Sequence, residues 1–216
     1  HSVTLAPNEN LSINIAVGIC DSRKRALEFS KEIVDTDFIK SQFKQLIQQN
    51  NDIKDKFVIN TPDTKVNDYV NYWLKKQILL CSEVGRGKGK GFRDQLQDAW
   101  AVISFSPQFA KEKIYETLQN IYKSGVCVRG WQPLIPINAS DSPTWIAPTV
   151  NAYLKETGDY DFLKEKVSYL DGGEDTVWEH MLASVRCSSD DTGSHGLIKM
   201  HACDWNDSLS GMAENG

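Results

Sequence analysis

The chain has 216 residues, 40% of them hydrophobic, 25% charged and 10% aromatic, with a formal net charge of −5. Such a balance is that of an ordinary globular chain of one domain or two small ones, and the acidic excess argues against general binding to nucleic acid or an anionic membrane. No apolar stretch nears the ~20 residues of a bilayer span, and no signal-peptide pattern opens the chain. The five cysteines (Cys20, Cys81, Cys127, Cys187, Cys203) are odd in number and never spaced as CxxC. They read as reduced thiols, so a soluble, cytoplasmic protein is expected.

Leu11, Ile13, Ile15, Val17 and Ile19 alternate with small or polar residues, a period of two that predicts a half-buried strand. Val3 and Leu5, before the Pro7-Asn8-Glu9-Asn10 turn signal, are its candidate hairpin partner. Two strands make no stable sheet alone, so residues 1–20 read as the end of a larger β-domain. After Asp21-Ser22, a candidate N-cap, the period changes. Ala26, Leu27, Phe29, Ile33 and Val34 predict one helix; Phe38, Phe43, Leu46 and Ile47 predict a second, ending near Gln48 to Asp52. Thr61-Pro62-Asp63 opens the next unit, where Val66, Tyr69, Val70, Trp73, Leu74 and Ile78 form an apolar stripe. Further helices are expected over 94–105, 107–122, 142–154, 162–169 and 176–185, with no strand–helix alternation, which favours paired helices over a Rossmann-type sheet. The chain opens without methionine and stops just after its most site-like segment, so it reads as a piece of a larger enzyme.

Three segments carry candidate chemistry. Gly85-Arg86-Gly87-Lys88-Gly89-Lys90-Gly91 is a cationic loop whose alternate glycines allow close backbone approach. It is no ATP-type P-loop, because the GK pair lacks the following Ser or Thr and the preceding segment reads as helical. Asp94 and Asp98 follow four apart on one helix face, with Arg93 beside them. Carboxylates that accept and a guanidinium that donates suit a polyhydroxylated ligand; an exposed charge pair beside a solvated loop is the alternative. In the second segment, Trp131 and Trp145 sit at loop–helix junctions, where a ring can stack on a sugar or pack in the core. Ser140 or Asp141 is a candidate cap there, with Pro143 in the first turn. The third, His201-Ala202-Cys203-Asp204-Trp205-Asn206-Asp207-Ser208, places two carboxylates around an aromatic ring. Its spacing fits neither an EF-hand nor a zinc site, so no metal is expected. A partly desolvated Asp beside Trp suits a general acid; a helix N-cap at Asp207 or Ser208 fits the spacing equally well.

Four segments appear in this order along the chain: Gly91-Phe-Arg-Asp-Gln-Leu-Gln-Asp98, Ser140-Asp141 to Trp145-Ile146, Leu154-Lys-Glu-Thr-Gly-Asp159 and Asp204-Trp-Asn-Asp207. Together, across about 85–207, they resemble glycoside hydrolase family 94, the inverting glycoside phosphorylases that include cellobiose and chitobiose phosphorylases. The resemblance implies a mainly α chain: the last strands of a β-sandwich at 1–20, a helical linker at 21–60, and the first part of an (α/α)6 barrel at 61–216. It implies that Arg93 and Asp94 hold the sugar of the −1 subsite, that Trp205 lines it, that Asp207 is the general acid, and that Arg86 helps bind substrate or phosphate. Asp98, Trp131 and Asp204 join them as substrate-binding candidates.

The implied reaction is phosphorolysis of a β-linked gluco-disaccharide or oligosaccharide to an α-sugar-1-phosphate, with inorganic phosphate as co-substrate and no cofactor. An inverting hydrolase needs an acid and a base for water; phosphate is already anionic, so one protein carboxyl group suffices. The family's phosphate-site histidine and Thr/Gly-rich loop correspond to positions beyond Gly216, so the resemblance implies that these residues alone neither close the barrel nor turn over substrate. It also implies a homodimer of the full-length protein. Two alternatives stand beside it: an inverting hydrolase with Asp94 as base, and a non-catalytic carbohydrate-binding fragment.

Overall fold

In a computed structural model the described residues are 2–87, 89–199 and 201. The chain divides into two units, one up to Ile53 and one from Lys54 onward. The described part is mostly helical. None of its helices is long and apolar enough to cross a membrane.

In the first unit, residues 2–20 form no strand, and Val3, Leu5, Leu11, Ile13, Ile15, Val17 and Ile19 are all exposed. The expected half-buried strand is therefore not formed here: alternation supplies a face, but a ladder needs partners, and the described residues offer none. Two helices follow, α1 (Arg23–Ile33) and α2 (Thr36–Asp55). Ser22 caps α1 by accepting from the Arg25 amide at 3.3 Å, as its position predicts. Asp35 does the same for α2, accepting from Asp37 and Phe38. The α1–α2 junction is tied to the extended segment by Asn14, whose Nδ2 donates to the Val34 carbonyl at 2.8 Å.

In the second unit, Asp63 caps a long helical run through the Lys65 and Val66 amides. The run comprises α3 (Thr64–Asp68), a π-helical turn (Tyr69–Leu74) and α4 (Lys75–Val84). The wide π turn breaks the 3.6-residue register, and the predicted apolar stripe is left with Val66, Tyr69 and Trp73 exposed.

The core forms around α5 (Phe92–Val102), which packs on α4, α6 (Pro107–Leu118) and α7 (Ile146–Thr157). Phe92, Leu96 and Ala99 recur on one face of α5 and are fully buried, each of the larger two contributing roughly 1.5–3 kcal/mol. Pro107 opens α6 and left-handed Gly158 closes α7. Last comes α8 (Val177–Asp190), capped by Thr176.

Two small sheets interrupt the helices where sequence reasoning placed none. β1 (Lys90–Gly91), β2 (Val128–Trp131) and β3 (Ile135–Asn138) form an antiparallel sheet with Lys90 opposite Trp131 and Gly91 opposite Gly130. The helix expected over 162–169 is instead a 3₁₀ turn (Tyr160–Lys164) followed by β4 (Lys166–Ser168), which pairs with β5 (Glu174–Thr176). Asp171-Gly172-Gly173 bends the chain back, and both glycines take positive φ.

Candidate active site

The glycine-rich loop leaves α4 at Gly85, whose φ of 77° ends the helix as its amide donates to the Cys81 carbonyl at 2.8 Å. A Cβ at Gly85 would sit 2.2 Å from the Gly89 carbonyl oxygen, and one at Gly89 would sit 2.6 Å from that of Gln132. The loop thus folds onto itself and onto the β2–β3 turn, a path only glycine permits at these two points.

That path sets Arg86 against α5. Its Nη1 lies 2.9 Å from Asp94 Oδ1, and its Nη2 donates to Asp98 Oδ1. One helical turn separates the two carboxylates, so a single guanidinium bridges both. The three side chains form a gradient of exposure: 40% for Arg86, 29% for Asp94 and 3% for Asp98. Burial pushes the Asp98 carboxyl up to about 6; the Asp94 charge adds to the rise, and Arg86 opposes it. The second oxygen of Asp98, Oδ2, is buried and accepts no hydrogen bond among the described residues.

Arg93 takes another direction from the one its position in the sequence suggests. Its side chain is 9% exposed, with Nη1 3.6 Å from Asp141 Oδ2, so among the described residues it meets Asp141 and not the Asp94–Asp98 pair. The same contact draws in the Ser140-Asp141 segment. Asp141 precedes the 3₁₀ turn Ser142–Trp145 without a side-chain capping bond, Pro143 lying in that turn as expected.

Trp131 is 6% exposed, packs edge-to-face on Phe92 and donates its Nε1–H to Glu116 at 3.1 Å. Of the two readings open for this ring, core packing is the one its burial fits. Glu116 is a residue that sequence reasoning missed. It also accepts from Lys90 at 2.6 Å and from Lys113 at 3.1 Å, while Lys113 pairs with Glu83 at 3.2 Å. Burial raises the Glu116 carboxyl, but the donors Lys90, Trp131 and Lys113 outweigh it and hold the group below its ordinary value. Nothing in the local pattern of α6 marks Glu116, since its partners come from β1, β2 and one turn away.

The Leu154-to-Asp159 motif is structural in this fold. After Gly158, Asp159 accepts from Lys111 at 2.9 Å and from the Tyr153 hydroxyl at 2.8 Å. Close to the end of the described chain, His201 Nε2 meets Asp191, which Lys199 also approaches at 3.4 Å. Asp204, Trp205 and Asp207 lie outside the described residues. The structure therefore brings together Arg86, Asp94 and Asp98, seats Arg93 with Asp141, and buries Trp131.

Comparison with known proteins identifies the family. Residues 49–215 match the model of the glycosyl hydrolase 94 superfamily catalytic domain. Over its full length the chain is 52% identical to solabiose phosphorylase of Paenibacillus borealis and 30% identical to 3-O-beta-D-glucopyranosyl-beta-D-glucuronide phosphorylase of the same organism. It is 26% identical to N,N'-diacetylchitobiose phosphorylase of Vibrio furnissii over 95% of the chain. The chain spans 28–30% of the length of these curated relatives. With most of its length matched by the family's catalytic domain, the chain belongs to the glycosyl hydrolase 94 superfamily.

Proposed function

We propose that the protein to which this chain belongs is an inverting disaccharide phosphorylase. The observation that carries this reading is the 52% identity, across the whole chain, to a solabiose phosphorylase, with the other two relatives named as phosphorylases too. In this reading the helices from α3 onward are the first part of an (α/α)6 barrel. Arg93, Asp94 and Trp205 hold the sugar whose bond is cleaved, with Asp98 and Asp204 close by. Asp207 is the general acid.

The chemistry follows from the residues. Asp207 gives its proton to the glycosidic oxygen as the C1–O bond breaks. Inorganic phosphate forms the new C1–O bond from the opposite face, so a β-glycoside yields an α-sugar-1-phosphate and a free sugar. Arg86 supplies planar N–H donors, the geometry that suits a phosphate. The single bridge from Arg86 to both Asp94 and Asp98 supports this role, because it fixes a partly exposed cation beside the sugar-binding candidates.

The test is an assay of the full-length protein with solabiose, cellobiose, diacetylchitobiose and β-1,2-linked glucans, with and without inorganic phosphate. A sugar-1-phosphate of α configuration, formed only with phosphate, is expected. Asp207→Asn should lower the rate by roughly 10²–10⁴-fold. Sugar release that ignores phosphate would instead identify a hydrolase, with Asp94 as the candidate base.

A further inference from the structure

We infer that Asp98 is a positioning residue: it acts through Arg86, anchoring the guanidinium so that its exposed edge is presented to the anionic co-substrate, and it does not itself bind the sugar. This rests on the phosphorylase reading. Three observations carry it. Only 3% of the Asp98 side chain is exposed, too little for a sugar hydroxyl to reach, whereas Arg86 keeps 40%. Arg86 gives Nη2 to Asp98 and Nη1 to Asp94, so the two carboxylates fix the plane of its fork and not merely its position. The segment bearing Arg86 lies between Gly85 and Gly87, both at positive φ, so among the described residues these two carboxylates are what orient the guanidinium itself.

The deep carboxylate is the permanent half of this clamp. Asp94, at 29% exposure, can turn to a sugar hydroxyl when substrate arrives. Asp98 cannot, so it alone would keep Arg86 in place during that exchange. Its buried Oδ2, without a hydrogen bond among the described residues, shows a carboxylate that is not optimally satisfied where it stands. A group held at such a disadvantage fits a role in the site better than a role in packing.

The test uses the full-length enzyme and three variants: Asp98→Asn, Arg86→Lys and the two combined. Initial rates are measured against phosphate at saturating disaccharide, and the reverse. Loss of one charge-assisted anchor should raise the KM for phosphate roughly ten- to hundredfold, with the disaccharide KM nearly unchanged. The double variant should lose little more than Arg86→Lys alone, since a lysine has no fork for Asp98 to orient. Should Asp98→Asn not fold, Asp98→Glu keeps the charge, moves it by one methylene and carries the same expectation. Additive losses in the double variant, or equal rises in both KM values, overturn the inference and leave the phosphorylase reading standing. A wild-type protein that forms no sugar-1-phosphate overturns both.

Discussion

Two ion clusters draw on the same short stretch of chain, residues 86–98, and treat a buried carboxylate in opposite ways. Around Arg86, one cation serves two carboxylates, and burial lifts Asp98 to about 6. Around Glu116, two lysines and an indole N–H serve one carboxylate, and the donors hold it below its ordinary value in spite of burial. The second arrangement is self-contained, since each partner points its polar end at another. The first is left short of donors on the carboxylate side and with an exposed cation on the other. Packing explains the second cluster fully; the first is better explained by what it presents to a ligand.

The largest effect is expected where the closed cluster is opened. Glu116→Gln strips Lys90 of its carboxylate partner and leaves Lys113 with Glu83 alone, the two lysine side chains being 9% and 8% exposed. Removing one partner of a buried ion pair costs about 3–5 kcal/mol, which a melting curve will register as a large fall in Tm. A change below about 1 kcal/mol would erase the distinction between the clusters.

Asp98→Asn should act with the opposite sign, and with a pH dependence. The folded carboxyl stands at about 6 against an ordinary 3.8, so its favourable contribution is complete below 3.8 and lost as pH rises through about 6. The variant is therefore expected to be more stable than wild type at pH 8, by an amount on the order of 3 kcal/mol, and to lose that advantage at pH 4. Melting temperatures at the two pH values check this; an advantage independent of pH would mean that ionisation is not its source. Next in size is Gly89→Ala, which forces φ of 118° on alanine and drives its Cβ to 2.6 Å from the Gln132 carbonyl. About 2 kcal/mol is expected, with the Arg86 loop displaced as well, so phosphate KM should rise alongside the fall in Tm.

What the sequence discloses and what it hides divide along the same line. Helices α1, α5, α6, α7 and α8 are readable because periodicity and caps such as Ser22, Pro107 and Thr176 are local signals. The pairing of Asp94 with Asp98 is readable too, being a spacing of four. That both answer to Arg86 is not, since the loop must first fold back across Gly85 and Gly89. Arg93 finding Asp141, and Glu116 gathering Lys90 and Trp131, depend on contacts 48, 26 and 15 residues apart, which no window contains. Strands of two to four residues, such as β1 and β2, are too short to show a period at all. The helix expected over 162–169 fails for a legible reason, because Asp171-Gly172-Gly173 marks a hairpin that outweighs the apolar residues between Phe162 and Tyr169.

A third cluster separates the two possible causes of the Asp98 rise, charge count and burial. Lys111 serves two carboxylates, Asp159 at 2.9 Å and Glu165 at 2.7 Å, the same two-to-one ratio as Arg86. Yet Asp159 lies below its ordinary value, held there first by the Lys111 hydrogen bond and then by that of Tyr153. The ratio is shared and the burial is not: Asp159 is 31% and Glu165 42% exposed, against 3% for Asp98. Solvent reaches both carboxylates of the Lys111 cluster and is kept from Asp98, so desolvation governs only the latter. Lys111→Met keeps the stem over the Phe162 ring, where the amine now sits 5.0 Å from the centroid, and removes only the charge. Discounted for screening, the loss should be about 1 kcal/mol. It should be present at pH 7, vanish as acid protonates Asp159 through its depressed pKa, and shrink in molar salt. The Asp98→Asn advantage at pH 8 should survive that salt, because ions do not reach a carboxylate buried beneath Arg86. Equal salt sensitivity in the two variants would show that charge count, and not burial, sets the Asp98 carboxyl apart.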